Sequence, residues 1–187
     1  MSKFNIREKI SSCLLKLAGW KYDMKEEFPQ KCLFCVAPHT SNWDLLLGEL
    51  FYFASGGRHK VHFFIKKEWF FFPLNYFFKA IGGLPVDREK KNSLVDQMIQ
   101  RFNAEENFCL AVTPEATRKA NPNWKRGFYY IAQGADVPIL LGYLDYSKKV
   151  VGVEKIFIPT GDVEADMDEI KKIYLQFKGR YPENFAI

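Results

Sequence analysis

No stretch of this 187-residue chain offers the run of about 18 apolar residues that a membrane-spanning helix requires. Its start does not read as a signal peptide, because Lys and Ser interrupt the apolar positions throughout. There is no internal repeat, low-complexity tract or linker. Cysteine is scarce, with four residues (Cys13, Cys32, Cys35 and Cys109), and without an export signal these are not expected to form a disulfide framework. Cys32 and Cys35 form a lone CxxC inside the apolar run Cys32-Leu33-Phe34-Cys35-Val36-Ala37, with no second CxxC and no nearby His. Buried core thiols on opposite faces of a strand are expected there, and no metal site.

What is present suits one compact domain over residues 1–187, with a core of its own. The chain is 48% hydrophobic and 26% charged, which excludes disorder. Aromatics are plentiful: 18 Phe, nine Tyr and four Trp make 17%, more than a core of this size needs. Some rings are therefore expected on a surface that meets lipid or an acyl chain. The net charge is +5, and residues 1–21 alone set Lys3, Arg7, Lys9, Lys16 and Lys21 against Glu8. Such a balance attracts anionic partners, whether nucleic acid, acidic lipid headgroups or phosphorylated carriers.

Residues 4–19, in the basic N-terminal region 1–25, have an amphipathic helical pattern of Ile6, Ile10, Cys13, Leu14 and Leu17, flanked by Lys9 and Lys16. Such a helix packs on the domain or lies in a membrane interface. Strands are then expected at 31–37, 61–66, 108–112, 138–144 and 150–158. Helices are expected at 42–54, 92–102, 127–135 and 164–177. That alternation predicts an α/β domain with a largely parallel, mixed sheet flanked by helices. Between Glu68 and Phe78, seven of eleven residues are aromatic and Pro73 interrupts any single helix. With Lys66, Lys67 and Lys79 around it, this segment has the composition of a membrane-interface surface. Nucleic acid would call for basic and aromatic residues interleaved along a groove, and these aromatics cluster instead, so no nucleic-acid partner is expected.

The sharpest chemical pattern is Pro38-His39-Thr40-Ser41-Asn42-Trp43-Asp44. His39 falls in a strand-to-helix turn, and Ser41 or Asn42 can cap the helix that follows. Asp44, in the first helical turn, can curl back to the imidazole, fix its tautomer and stabilise the imidazolium formed when the other nitrogen accepts a proton. This is the His-Asp half of a catalytic triad, with a substrate hydroxyl in place of an enzyme nucleophile. His59 and His62 have no acidic partner at such a spacing. Asp145 is either a site residue or part of a hairpin turn over 143–147.

Over residues 30–145 the sequence resembles the glycerophospholipid acyltransferase family, which includes the 1-acylglycerol-3-phosphate acyltransferases. Four blocks in the family's order carry the resemblance: the His39/Asp44 pair; Gly82-Gly83-Leu84-Pro85-Val86-Asp87-Arg88; Thr113-Pro114-Glu115-Ala116-Thr117-Arg118, followed by Trp124-Lys125-Arg126-Gly127; and Val137-Pro138-Ile139-Leu140. The third block departs from the family at Ala116, where glycine is usual. If positive φ is needed there, alanine is strained; otherwise the loop tolerates the methyl group.

The resemblance implies a glycerol-3-phosphate acyltransferase-like fold and a membrane-associated O-acyltransferase. It implies His39 as general base and Asp44 as its orienting partner, with Arg88, Glu115, Thr117 and Arg118 binding the acceptor, the arginines on a phosphate or other anionic headgroup. Guanidinium forks suit that task. The implied donor is an acyl-ACP (acyl carrier protein) or acyl-CoA thioester and the acceptor a lyso-lipid, with no metal and no resident cofactor. The implied location is cytoplasmic, peripheral on the inner face of the cell membrane. From another class, a non-catalytic lipid-binding module that retains the fold would leave the His-Asp pair sequestered from any cleft.

Overall fold

The computed structural model describes residues 6–24, 27–86 and 91–187, with side chains from residue 94 in the last of these segments. Among them a seven-stranded sheet runs in the order β1-β7-β6-β2-β5-β3-β4. The strands are β1 (Lys21–Asp23), β2 (Lys31–Val36), β3 (Val61–Lys66), β4 (Gly83–Val86), β5 (Phe108–Val112), β6 (Ile139–Asp145) and β7 (Val150–Phe157). Every pairing is parallel except the β6–β7 hairpin. The mixed, largely parallel sheet expected from the alternating pattern is therefore present.

Helices cover both faces. On one side lie α1 (Ile6–Leu17) and α2 (Trp43–Ala54), whose buried residues join Cys32, Phe34, Leu140 and Leu144. On the other, α4 (Lys91–Ala104), α5 (Gly127–Ala135) and α6 (Val163–Tyr174) cover Leu33, Cys35, Leu110, Ile139 and Leu141. Successive residues of β2 thus feed two separate cores, the reason its sequence is apolar without alternation. All seven residues of β6 are buried for the same reason. The four cysteines are free thiols, and Cys32 and Cys35 do point to opposite faces. Cys32 meets Cys109 across the β2–β5 register, with their sulfurs 3.4 Å apart.

Three short elements escape the sequence pattern. They are β1, β4 and α3 (Leu74–Ala80), the last following a 3-10 turn at Lys67–Trp69. Asp145 belongs to the hairpin turn, accepting hydrogen bonds from Ser147 and from the Lys148 N–H.

The apolar stripe of α1 does not point into the domain. Leu15 and Ser11 are buried, whereas Ile6, Ile10, Leu14 and Leu17 are 46–80% exposed. Trp43, Leu45 and Leu46 on α2 are exposed as well, as are Trp69, Phe71, Phe72, Tyr76 and Phe77 of the aromatic segment. No helix of the described residues is long and apolar enough to cross a membrane.

Candidate active site

Strands β2 and β5 lie side by side with Cys35 opposite Val112, so the loops at their carboxyl ends begin together. In a parallel sheet this edge is where ligands meet the fold. One loop carries His39, the other Glu115 to Arg118, and α2 brings Asp44 back towards the first loop.

His39 Nδ1 and Asp44 Oδ2 are 3.0 Å apart. The same oxygen accepts the N–H groups of Thr40 at 3.0 Å and Ser41 at 2.9 Å. Asp44 Oδ1 accepts the hydroxyl of Tyr146 at 2.7 Å. Asp44 is buried, while the His39 side chain keeps 21% of its surface. Four donors on one carboxyl group suit its ionised form, which only accepts. With Nδ1–H directed at Asp44, Nε2 is left to accept a proton, on a side chain that lines the cleft.

The expected cap differs in detail. Asn42 occupies the N-cap of α2 without a side-chain hydrogen bond. Ser41 Oγ accepts the Trp43 N–H instead, at 3.3 Å.

Glu115 lies beneath the histidine. It is 1% exposed, and its Oε2 accepts the His39 backbone N–H at 2.9 Å. Oε1 has no hydrogen-bond partner. Burial pushes this carboxyl up to about 8, opposed by the His39 N–H and helped by the charge of Asp44. The folded chain therefore holds a proton that the unfolded chain releases in the ordinary carboxyl range. Stability from this proton is fully present below that range and is lost as pH rises towards 8. Glu115→Gln, which mimics the protonated form, is expected to remove the dependence. Between pH 5 and 8 the wild type should lose on the order of 3 kcal/mol relative to the variant, read from thermal melts.

Ala116, Thr117 and Arg118 line the cleft beyond Glu115. Ala116 has φ +55°, the left-handed region in which a Cβ costs about 1–2 kcal/mol. Of the two alternatives the sequence left open, positive φ is the one present, and alanine bears its strain. Ala116→Gly is expected to raise stability by about 0.5–1 kcal/mol, because glycine's larger unfolded-state entropy offsets part of the relief. Paired denaturant melts measure it. Arg88 lies outside the described residues.

The cleft has a volume of about 1630 Å³, above the range of drug-sized sites, and most of its wall is apolar. Gly48 and Glu49 line it one helical turn beyond Asp44 on α2, and Phe63, Ile65 and Trp69 also belong to its wall. A Cβ added to Gly48 would meet open space. Burial pushes the Glu49 carboxyl up to about 7. The Glu115 loop side of the cleft contributes Arg118, Lys119, Lys125 and Arg126. Among the described residues no group of three His, Cys, Asp or Glu could hold a metal ion.

Residues beyond the sequence motifs complete the loop. Gly179 packs so closely on it that a Cβ there would stand 2.6 Å from Thr40 Oγ1 and 3.2 Å from Pro38 Cβ. The Tyr181 N–H donates to Thr40 Oγ1 at 3.2 Å, and Lys178 O accepts the Tyr146 N–H at 2.8 Å.

Residues 20–140 match the family model described as Acyltransferase. The chain belongs to the acyltransferase family. Its fold is similar to the crystal structure of the 1-acyl-sn-glycerophosphate (LPA) acyltransferase PlsC from Thermotoga maritima, with a TM-score of 0.63. The two sequences are 16% identical, and the match covers 92% of this chain and 77% of that one. The sequence has no significant match among curated proteins. In this acyltransferase the matched span contains both the His39/Asp44 pair and the Glu115 loop.

Proposed function

We propose that this acyltransferase works at a membrane surface. It transfers a fatty acyl group from an acyl carrier protein or coenzyme A thioester to the free hydroxyl of a lysophospholipid, 1-acylglycerol-3-phosphate-like, or a related lyso-lipid. The observation that carries this reading is the 3.0 Å contact between His39 Nδ1 and Asp44 Oδ2 at the wall of a large, mainly apolar cleft. The acceptor hydroxyl loses its proton to His39 Nε2 as its oxygen bonds to the thioester carbonyl carbon. Collapse of the tetrahedral intermediate breaks the C–S bond, and the imidazolium returns the proton to the departing sulfur. Asp44 balances the charge on the ring in between. No acyl-enzyme forms.

Arg118, with Lys119 and Lys125 nearby, suits an anionic headgroup, since a guanidinium fork pairs with phosphate oxygens. The exposed face of Ile6, Ile10, Leu14 and Leu17, with Lys9 and Lys16 on the same helix, suits a bilayer containing anionic lipid. A non-catalytic lipid-binding module fits less well, because His39 is partly exposed and lines the cleft.

The test is acyl transfer in liposomes, with carrier-protein and coenzyme A thioesters offered to a panel of lyso-lipids and the products identified by mass. Transfer to one acceptor class establishes the reading and names the substrate. Vesicle binding without any product, across the whole panel, would overturn it in favour of the binding module.

A further inference from the structure

Asp44 can orient His39 only if its carboxylate is prevented from turning about its own Cβ–Cγ bond, a torsion with broad wells. The peptide N–H groups of Thr40 and Ser41 hold Oδ2. Oδ1 is held from elsewhere in the chain, by the hydroxyl of Tyr146 at 2.7 Å. We propose that Tyr146 is a positioning residue of the catalytic pair, its hydroxyl locking the rotation of the Asp44 carboxylate so that Oδ2 faces the imidazole. The proposal rests on the His-Asp reading above.

Tyr146 is itself fixed on two sides. Its backbone N–H donates to Lys178 O at 2.8 Å, and its ring meets Trp20 edge-on, with centroids 4.9 Å apart and planes at 89°. Trp20 is buried between α1 and β1, and its backbone N–H donates to Leu15 O at 2.8 Å. The clamp therefore reaches back to the helix that exposes Ile6, Ile10 and Leu14. Tyr146 is absent from the cleft wall, and its one proton is committed to Asp44. Its hydroxyl reaches the His39 turn through that carboxylate and through the Ser41 side chain, which it also meets. Burial and the Asp44 charge push the phenol far above its ordinary range, against the influence of Arg180, so the hydroxyl stays a donor across any working pH.

Tyr146→Phe removes the donor and keeps the ring against Trp20. It is expected to lower kcat about ten- to a hundredfold, the scale of a hydrogen bond to a charged group, with both KM values within about twofold of wild type. A second readout does not need turnover. The His39 Nδ1–H proton resonance, assigned by its loss in His39→Gln, should move in Tyr146→Phe or broaden through faster exchange with water. Trp20→Phe keeps the hydroxyl and loosens its support, and should give an intermediate loss of kcat should the first variant not fold.

Wild-type kcat in Tyr146→Phe, or a rise in KM at constant kcat, would overturn the positioning role. A fall in kcat with the resonance unmoved would overturn it too. A wild-type protein inactive on every acceptor refutes the proposed function, and the resonance then decides the role of Tyr146 alone.

Discussion

His39→Ala is expected to lower acyl transfer by about 10²–10⁴-fold, the usual contribution of a positioned general base. Folding should survive, because His39 sits on a loop and its side chain is partly exposed. Asp44 would keep the Thr40 and Ser41 N–H groups and the Tyr146 hydroxyl, so no buried charge is left without donors. Initial rates beside thermal melts separate the two effects. The residual rate should come from binding both substrates side by side in the cleft. A variant within a few-fold of wild type would show that another group takes the proton.

A comparable loss is expected at the surface rather than at the site. Ile6→Ser, Ile10→Ser and Leu14→Ser on α1 together should weaken partition onto anionic vesicles by about a hundredfold. Full burial of one such side chain is worth about 1.5–3 kcal/mol. These three are 46–73% exposed in the free protein, so together they recover about 3 kcal/mol on reaching lipid. Each 1.4 kcal/mol is about tenfold in affinity. Sedimentation with vesicles measures the partition, and raising the salt should weaken wild-type binding further by screening Lys9 and Lys16. Unchanged partition would mean that α1 does not face the lipid. The buried remainder of these side chains packs on the domain, so the variant should melt lower than wild type and the partition is measured well below its melting point.

The pairing of His39 with Asp44 was legible in the sequence because the contact is local. Five residues separate His39 from Asp44, and a strand-to-helix turn is enough to close that distance. The longer helices were legible because their apolar periods repeat, and the central strands because they are short, unbroken apolar runs. Strands β1 and β4 were not. Three or four residues carry no period, and β4 includes Pro85, tolerated because the strand lies at the sheet edge. Helix α3 hid within an aromatic run whose rings give no buried face to detect. Tyr146 was invisible for a different reason, since its bond to Asp44 spans 102 positions and depends on the register of the hairpin that carries it. The environment of Glu115 was hidden as well. A motif gives its place in the chain, whereas its burial under His39 follows from β5 lying beside β2.

Gly179 and its neighbours make the turn that bears His39 depend on residues far along the chain. A ribosome that has completed residue 170 has already made His39, Asp44 and the Glu115 loop. The turn bearing His39 then still lacks its cover at Thr40, and the Tyr146 backbone has no Lys178 carbonyl to hold it. A chain ended there would hold every motif block and still lack a finished site.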